Sequence, residues 1–374
     1  MSILFSSYQL GQLSVANRLL HSATYESMSK KNGEVSQALL KRYRQLARGN
    51  IGLIVPGHMH VHPTGKAGLR QTGIFSDKMI PGLKELASVI HEEQGKVVFQ
   101  LAHAGRQTRK AVTGLDPIGP SNDGADPTFG VEPRVMTEAE ILELIAAFGD
   151  AARRAAEAGA DGVQIHAAHG YLINQFLSPF FNRREDAWGG SDKKRFRFLK
   201  QVFLAVRKNL PQELPVLIKL NTNDFTPRDG IQPDLAARYA KWLVELGIDG
   251  IEISSGTLSY APLAMSRKRD VAGDFAFRDG YHLEAAAMIK PAIGSTPLIL
   301  VGGMRKMEQM ETVLKNGPVD MISMSRPFIR EPLLAKRFES GKSQSASCVS
   351  CNNCLAAVRL GLPVKCYVRG LPQT

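Results

Sequence analysis

Cysteine is scarce in this chain. Four occur among 374 residues, and all lie after residue 347. A disulfide scaffold is therefore excluded for the bulk of the molecule. Long apolar runs are also missing. None reaches the roughly 18 residues of a membrane span, so no membrane partner is expected. The start, MSILFSSYQLGQLSVANRLL, has neither the basic lead nor the apolar core of a secretory leader, and a cytoplasmic protein is the expectation. Although the net charge is +12, no basic stretch is interleaved with aromatics, so nucleic acid is not expected as a partner. RRAAEAG and SDKKRFRFLKQ read as solvated helix faces. The positive balance favours small anionic ligands, such as phosphate cofactors or CoA esters.

Eight short, nearly continuous apolar runs punctuate the chain: Asn17–Ala23, Ile51–Gly57, Lys96–His103, Asp161–His169, Pro215–Asn221, Asp249–Gly256, Pro297–Gly303 and Asp320–Pro327. Such runs suit parallel strands buried on both faces. Helical patterns separate them, at 36–49, 80–95, 137–159, 195–209, 233–246, 282–292, 307–316 and 331–340. In the third, Ile141, Leu144, Ile145 and Phe148 form one apolar stripe, and Thr137 with Glu140 makes a capping box. EAGADGVQI (157–165) is echoed by ELGIDGIEI (245–253), each with a helix-ending glycine, an Asp-Gly turn and a strand. Repeated βα units with eight strands predict an α/β protein, a (β/α)8 TIM barrel over residues 1–340. An open doubly wound sheet is the second reading, weakened by the lack of a glycine-rich turn after the first strand. LFSSYQLGQLSV reads as a hairpin closing the barrel floor. The long Gly/Pro/Asn/Asp-rich stretch after His103 reads as a functional or mobile loop on the active-site face.

In a barrel the chemistry gathers at the carboxyl ends of the strands. Those ends hold Ser22–Tyr25, Gly57–His58, Gln100, His166/His169/Tyr171, Lys219, Ser254–Gly256, Gly302–Gly303 and Ser325–Arg326. Gly302 and Gly303 after strand seven, with Ser325 and Arg326 after strand eight, suit a phosphate; two tight turns are the plainer reading. Gln100 can both donate and accept, which suits the uracil-like edge of a flavin. Lys219 at the end of strand five needs an anion. A flavin accumulating charge near N1 and O2 would supply one. The alternatives are a path to the surface or a partner acid such as Asp224.

HAAHGYLINQFLSPFFNRREDAWGGS (166–191) resembles the signature of the Old Yellow Enzyme family, the FMN-dependent ene reductases. QLAHAGR (100–106) resembles its thermophilic-like branch and the 2,4-dienoyl-CoA reductases, and NRLLHSAT, IKLN and the GG…SRP pair fall in the matching order. The resemblance implies FMN, NADH or NADPH as hydride donor, and a small activated alkene as substrate. It implies that His166 and His169 hydrogen-bond the carbonyl or nitro oxygen of that alkene. The β carbon takes hydride from reduced FMN N5, and Tyr171 protonates the α carbon. Gln100 and Lys219 would hold the pyrimidine side, Ala23 and Thr24 line the isoalloxazine, and Gly302, Gly303, Ser325 and Arg326 hold the phosphate. Tyr25 departs from the pattern, standing where relatives often carry Thr or Cys against flavin O4. Gly57 is expected among the flavin-binding residues, although it belongs to an unusual strand-two end, Pro56-Gly57-His58. Association into a homo-oligomer is left open.

The remaining residues, 341–374, form a cysteine-bearing tail. Cys348, Cys351, Cys354 and Cys366 follow a C-x2-C-x2-C-x11-C spacing, which suits a [4Fe–4S] cluster or a structural zinc. Dienoyl-CoA reductases carry a cluster in a similar place, usually with one more residue in the second gap, followed by a flavin and NADP domain. The expectation here is a remnant cluster or a docking point for a separate reductase; four free thiols are the plain reading. Two rival functions remain: a flavin and iron–sulfur electron-transfer subunit, and a Schiff-base aldolase using Lys219.

Overall fold

The computed structural model of the chain describes residues 2–122, 124–260 and 279–372. Each of the eight apolar runs holds a strand: β1 (Leu19–His21), β2 (Leu53–Ile54), β3 (Phe99–Ala102), β4 (Val163–Ala167), β5 (Val216–Asn221), β6 (Gly250–Ser254), β7 (Leu298–Val301) and β8 (Met321–Met324). They join in one parallel sheet in the order β2-β1-β8-β7-β6-β5-β4-β3. A ninth strand, Met59–His60, was not predicted; it pairs with β3 through Leu101 and Ala102. The sheet curls round on itself. Ile54 donates its amide to Lys96 and accepts from Val98, which carries β2 across to the run entering β3. This is the arrangement that a (β/α)8 barrel requires.

Helices α1 (Gln37–Ala47), α2 (Ile80–His91), α3 (Glu138–Glu157), α4 (Asp192–Asn209), α5 (Pro233–Glu245), α6 (Leu283–Ile293), α7 (Met307–Asn316) and α8 (Leu334–Glu339) occupy the predicted segments. The capping box at Thr137 and Glu140 is formed in full. Ile141, Leu144 and Phe148 of α3 are buried, and Ile145 packs at the edge of the same core. No helix among the described residues is long and apolar enough to cross a membrane.

Side chains alternate across each strand, so the sheet has two apolar environments. The outward set, including Phe99, Ile165, Ile218, Ile253 and Leu300, packs under the helices. The inward set, Leu20, Leu53, Val98, Leu217, Ile299 and Met321, forms a separate cluster with Leu10, Leu13 and Val15. Those last three belong to the antiparallel hairpin Tyr8–Leu10/Leu13–Val15. The hairpin thus closes one end of the sheet, as its sequence suggested, and the other end is left for chemistry.

Two further segments shape that other end. In the stretch after His103, Arg106 and Asp126 form a buried ion pair at 3.3 Å, and Ile118–Gly119 pairs in parallel with Arg134–Val135. The tail turns back onto the molecule. Its helix, Asn353–Arg359, buries Cys354 and Val358 against Ile329 and Val364. The Val364 amide donates to the Glu26 carbonyl at 2.8 Å.

Candidate active site

A polar layer lies directly above the inward apolar cluster. Register places His166 of β4, Lys219 of β5 and Glu252 of β6 side by side. Lys219 Nζ stands 3.2 Å from Glu252 Oε2, with the two side chains 2% and 0% exposed. Lys219 also donates to Ser22 Oγ at 2.8 Å. Glu252 accepts from Ser22, Ser323 and Gln164 at 2.8, 2.8 and 2.9 Å. Gln100 extends the chain, donating to Gln164 Oε1 at 2.6 Å. A buried charge is tolerable only when paired and hydrogen-bonded in this way. The expected anion for Lys219 is therefore partly supplied from within. The suggested partner Asp224 is engaged elsewhere, accepting from Asn221, Asn174 and the Ile231 amide. Glu252 and Gln164 were missed in the sequence. They occupy the same slot of the two echoed runs, ADGVQI and IDGIEI, and a polar residue repeated mid-strand was the available signal.

The histidine–tyrosine block rises from this same layer. His166 is followed by Ala167 at the end of β4, and the chain then turns sharply, with φ 64° at His169 and 75° at Gly170. A side chain at Gly170 would stand 2.9 Å from Gln107, so that turn needs a glycine for space as well as conformation. The turn brings three rings together. The His166 centroid lies 5.1 Å from that of His169 and 4.9 Å from that of Tyr171, nearly edge-on to both. His169 Nε2 pairs with Ser254 Oγ at 2.7 Å, and Gln107 donates to the His169 carbonyl. Burial holds both imidazoles well below their ordinary range, with neighbouring charges adding to the effect. It raises the Tyr171 phenol, which stays protonated at neutral pH. The site therefore offers neutral N–H donors beside a protonated hydroxyl.

One open cavity of about 1230 Å³ collects these groups. Ala23, Thr24, Tyr25, Gln100, His166, His169, Tyr171, Lys219, Gly302, Gly303, Ser325 and Arg326 all line it. Gly57 does not. Its amide donates to Glu26, a Cβ there would collide with that carboxylate, and His58 takes its place on the wall. Tyr25 lies with its phenol against Gly68, where any side chain would meet the hydroxyl. Thr24 Oγ1 bonds Ser325 Oγ at 2.6 Å. Gly302 and Gly303 both have positive φ, 119° and 78°. A Cβ on Gly302 would meet the Tyr281 ring at 2.5 Å.

The residues present fit a flavin. The buried His166 Nδ1 has no partner among the described residues, which marks a place for a ligand atom. Gln100 keeps a carbonyl oxygen unengaged among the described residues, on the same cavity wall as Lys219. The described wall carries Lys31, Arg70, Arg109, Lys219, Arg305, Arg326 and Arg359 and no carboxylate, so it is suited to phosphate-bearing ligands. Part of this wall comes from the tail, through Asn352, Leu355, Ala356, Val358, Arg359 and Leu360. That contribution was not foreseen.

The four cysteines share a second, much smaller pocket of about 20 Å³, lined also by Arg326, Asn352 and Tyr367. All four are free thiols, and burial pushes Cys354 up to about 11. Among the described residues, no group of three or more His, Cys, Asp or Glu side chains is arranged to hold a metal ion. The expected iron–sulfur or zinc centre thus finds its residues gathered, with no formed ligand set.

A curled parallel sheet whose open end presents paired imidazoles, a phenol, a buried lysine and bare glycines defines a cofactor-binding α/β enzyme. Residues 3–345 match the NADH:flavin oxidoreductase / NADH oxidase family, and the chain belongs to it. It is 33% identical over 370 residues to an NADH oxidase of Thermoanaerobacter brockii, which covers 98% of this chain and 55% of that protein. It is 36% identical over 353 residues to an NADPH dehydrogenase of Geobacillus sp. (strain WCH70), covering 92% and 97%. A 2-naphthoyl-CoA reductase solved with 2-naphthoyl-CoA superposes with a TM-score of 0.91 at 28% identity, over 98% of this chain and 56% of that one. An old yellow enzyme homologue from Zymomonas mobilis gives 0.77 at 26% identity, over 92% and 94%. The chain therefore spans about half the length of some relatives and nearly all of others. The resemblance to the Old Yellow Enzyme family holds.

Two outcomes follow for stability. Glu252→Ala leaves the Lys219 charge buried and unpaired, and should cost about 3–5 kcal/mol in chemical denaturation. Glu252→Leu with Lys219→Met should cost less than that single change; a double loss equal to the sum of the single losses would show that the pair is not a unit. Burial lowers His21 and His58 to about 3 and His60 to about 4, and holds His103, His166 and His169 well below their ordinary range. The unfolded chain takes up protons at these residues near pH 6.5, where the folded chain does not. Their contribution to stability is complete above pH 6.5 and is lost as pH falls towards about 3, so Tm should drop between pH 7 and pH 5.

Proposed function

We propose that this chain is an FMN-dependent ene reductase, taking reducing equivalents from NADH or NADPH and reducing the activated C=C bond of an unsaturated carbonyl or nitro compound. The observation that carries the reading is the convergence of His166, His169 and Tyr171 on the cavity that Gln100 and Lys219 also line. When bound, reduced FMN supplies the hydride. Gln100 and Lys219 would hold its pyrimidine side, Ala23 and Thr24 its ring system, and Gly302, Gly303, Ser325 and Arg326 its phosphate. The neutral imidazoles of His166 and His169 orient the substrate oxygen and donate to it as negative charge develops there. The phenol of Tyr171 holds the proton destined for the α carbon.

A Schiff-base aldolase is the weaker reading. That chemistry needs a free amine, and Lys219 sits in an ion pair with Glu252. An electron-transfer role gains one point of support, because Arg326 lines both the large cavity and the cysteine pocket. The four cysteines gather at one pocket without a formed ligand set among the described residues, and their geometry favours neither a cluster nor zinc.

His166→Ala and His169→Ala should each slow alkene reduction by about 10²-fold, the usual cost of removing one such donor. They should also weaken phenol binding, while reduction of the bound flavin by NADPH changes far less. Unchanged alkene turnover in stopped-flow measurements would overturn their role. Analysis of protein purified without oxygen for iron, zinc and acid-labile sulfide decides whether the tail holds a cluster, a zinc or neither. Finding neither metal would reduce the cysteine pocket to a packed set of thiols.

A further inference from the structure

His58 has no part in the reading above. It lies just beyond β2 on the cavity wall and is buried. Its Nε2 stands 3.0 Å from Tyr171 Oη, with the ring centroids 5.0 Å apart. The ring is enclosed by Tyr25 at 5.9 Å and His166 at 5.8 Å, both edge-on. Gln71 anchors its backbone by donating to the His58 carbonyl at 3.0 Å. Among the described residues, this imidazole is the hydrogen-bond partner of the Tyr171 hydroxyl.

A phenol that gives up a proton in every turnover must recover one. Tyr171 and His58 both line the cavity and are each 7% exposed, and the hydrogen-bond partner of the Tyr171 hydroxyl is a ring with a second nitrogen. We propose that His58 recharges Tyr171, passing it a proton drawn from water in the cavity. The proposal rests on Tyr171 being the proton donor. After hydride reaches the β carbon, the electron pair left at the α carbon takes the proton of Tyr171, and the O–H bond breaks to leave a phenolate. His58 then gives its Nε2 proton to that oxygen while Nδ1 takes one from water. The imidazole finishes neutral and its tautomer resets by exchange with solvent. The net consumption is one hydride and one solvent proton per alkene, and no other reagent is needed. Burial holds His58 at about 3, so it starts neutral and can accept at one nitrogen while donating at the other. His58 touches neither the reacting carbons nor the hydride; it is a positioning and relay residue acting through Tyr171.

The test compares a single turnover with steady state in flavin-loaded protein, using a neutral cyclic enone. His58→Phe and His58→Gln should leave the first turnover near the parent rate, since Tyr171 begins protonated. Later turnovers should slow on the order of 10²-fold, the lower range for positioned proton transfer. Ferricyanide-coupled oxidation, which protonates no carbon, is the control for a merely structural effect. His58→Ala should regain enone turnover on addition of imidazole. Tyr171→Phe should slow the first turnover itself, and the double variant Tyr171→Phe/His58→Phe should be no slower than Tyr171→Phe alone. If Tyr171→Phe leaves the first turnover unchanged, the donor assignment fails. If Tyr171→Phe slows it and the His58 variants keep full steady-state turnover, or lose ferricyanide turnover equally, the relay alone is overturned.

Discussion

The ion pair between Lys219 and Glu252 is the constraint on which the rest of this interior depends. Two charges in the middle of a curled sheet are tolerable only if each is fully engaged. Ser22, Ser323 and Gln164 supply that engagement from three other strands, and Gln100 ties in a fourth. Five of the eight main strands besides β5 are therefore locked in register by polar contacts at one level: β6 through Glu252, β4 through Gln164, β3 through Gln100, and the ends of β1 and β8 through Ser22 and Ser323. The apolar cluster below and the hairpin beneath it shield this level from water. Above it, Lys219 is held in a fixed position with its charge largely balanced. A cofactor that gains negative charge would meet a cation already oriented, with little reorganisation left to cost energy.

The second architectural element is the turn after β4. A regular strand would send His166, Ala167 and Ala168 to alternating faces and carry His169 and Tyr171 away from the mouth. Left-handed backbone at His169 and Gly170 folds the chain back instead. Asn174 stabilises the turn by accepting the Gly170 amide at 2.6 Å, and Asn221 accepts the His169 amide at 3.2 Å. The ring triad is thus fastened to β5 as well as to its own segment. The mouth around it is built from parts outside the repeat: the segment pinned by Arg106 and Asp126, and the tail. Arg326 donates to Asn352 at 2.6 Å, which couples the expected phosphate end of the cavity to the start of the tail helix. A change in the cysteine pocket would therefore reach the cofactor side through one guanidinium.

Much of the fold was legible in the residues. Near-continuous apolar runs, one-sided helices and the repeated glycine and Asp-Gly turns carry local physics strong enough to be read without neighbours. The floor hairpin and the α3 capping box belong to the same class. The ninth strand, Met59–His60, was not legible, because two residues have no periodicity and pair only when β3 is already in place. Gly57 was misjudged for a related reason. Its bareness is required by Glu26, a residue thirty-one positions away that nothing local identifies.

The sequence by itself determined the alternation of strand and helix, the strand ends where chemistry collects, and the block from His166 to Ser191 that carries the family resemblance. These follow from spacing, and spacing survives in one dimension. Only the tertiary structure decided which acid answers Lys219, which ring faces Tyr171, and that the tail walls the cavity instead of standing apart. Each of these is a contact between residues 33 to more than 300 positions apart. Such pairings are set by register and by the closing of the sheet, because a buried charge or hydroxyl accepts whichever partner the packing brings within about 3 Å.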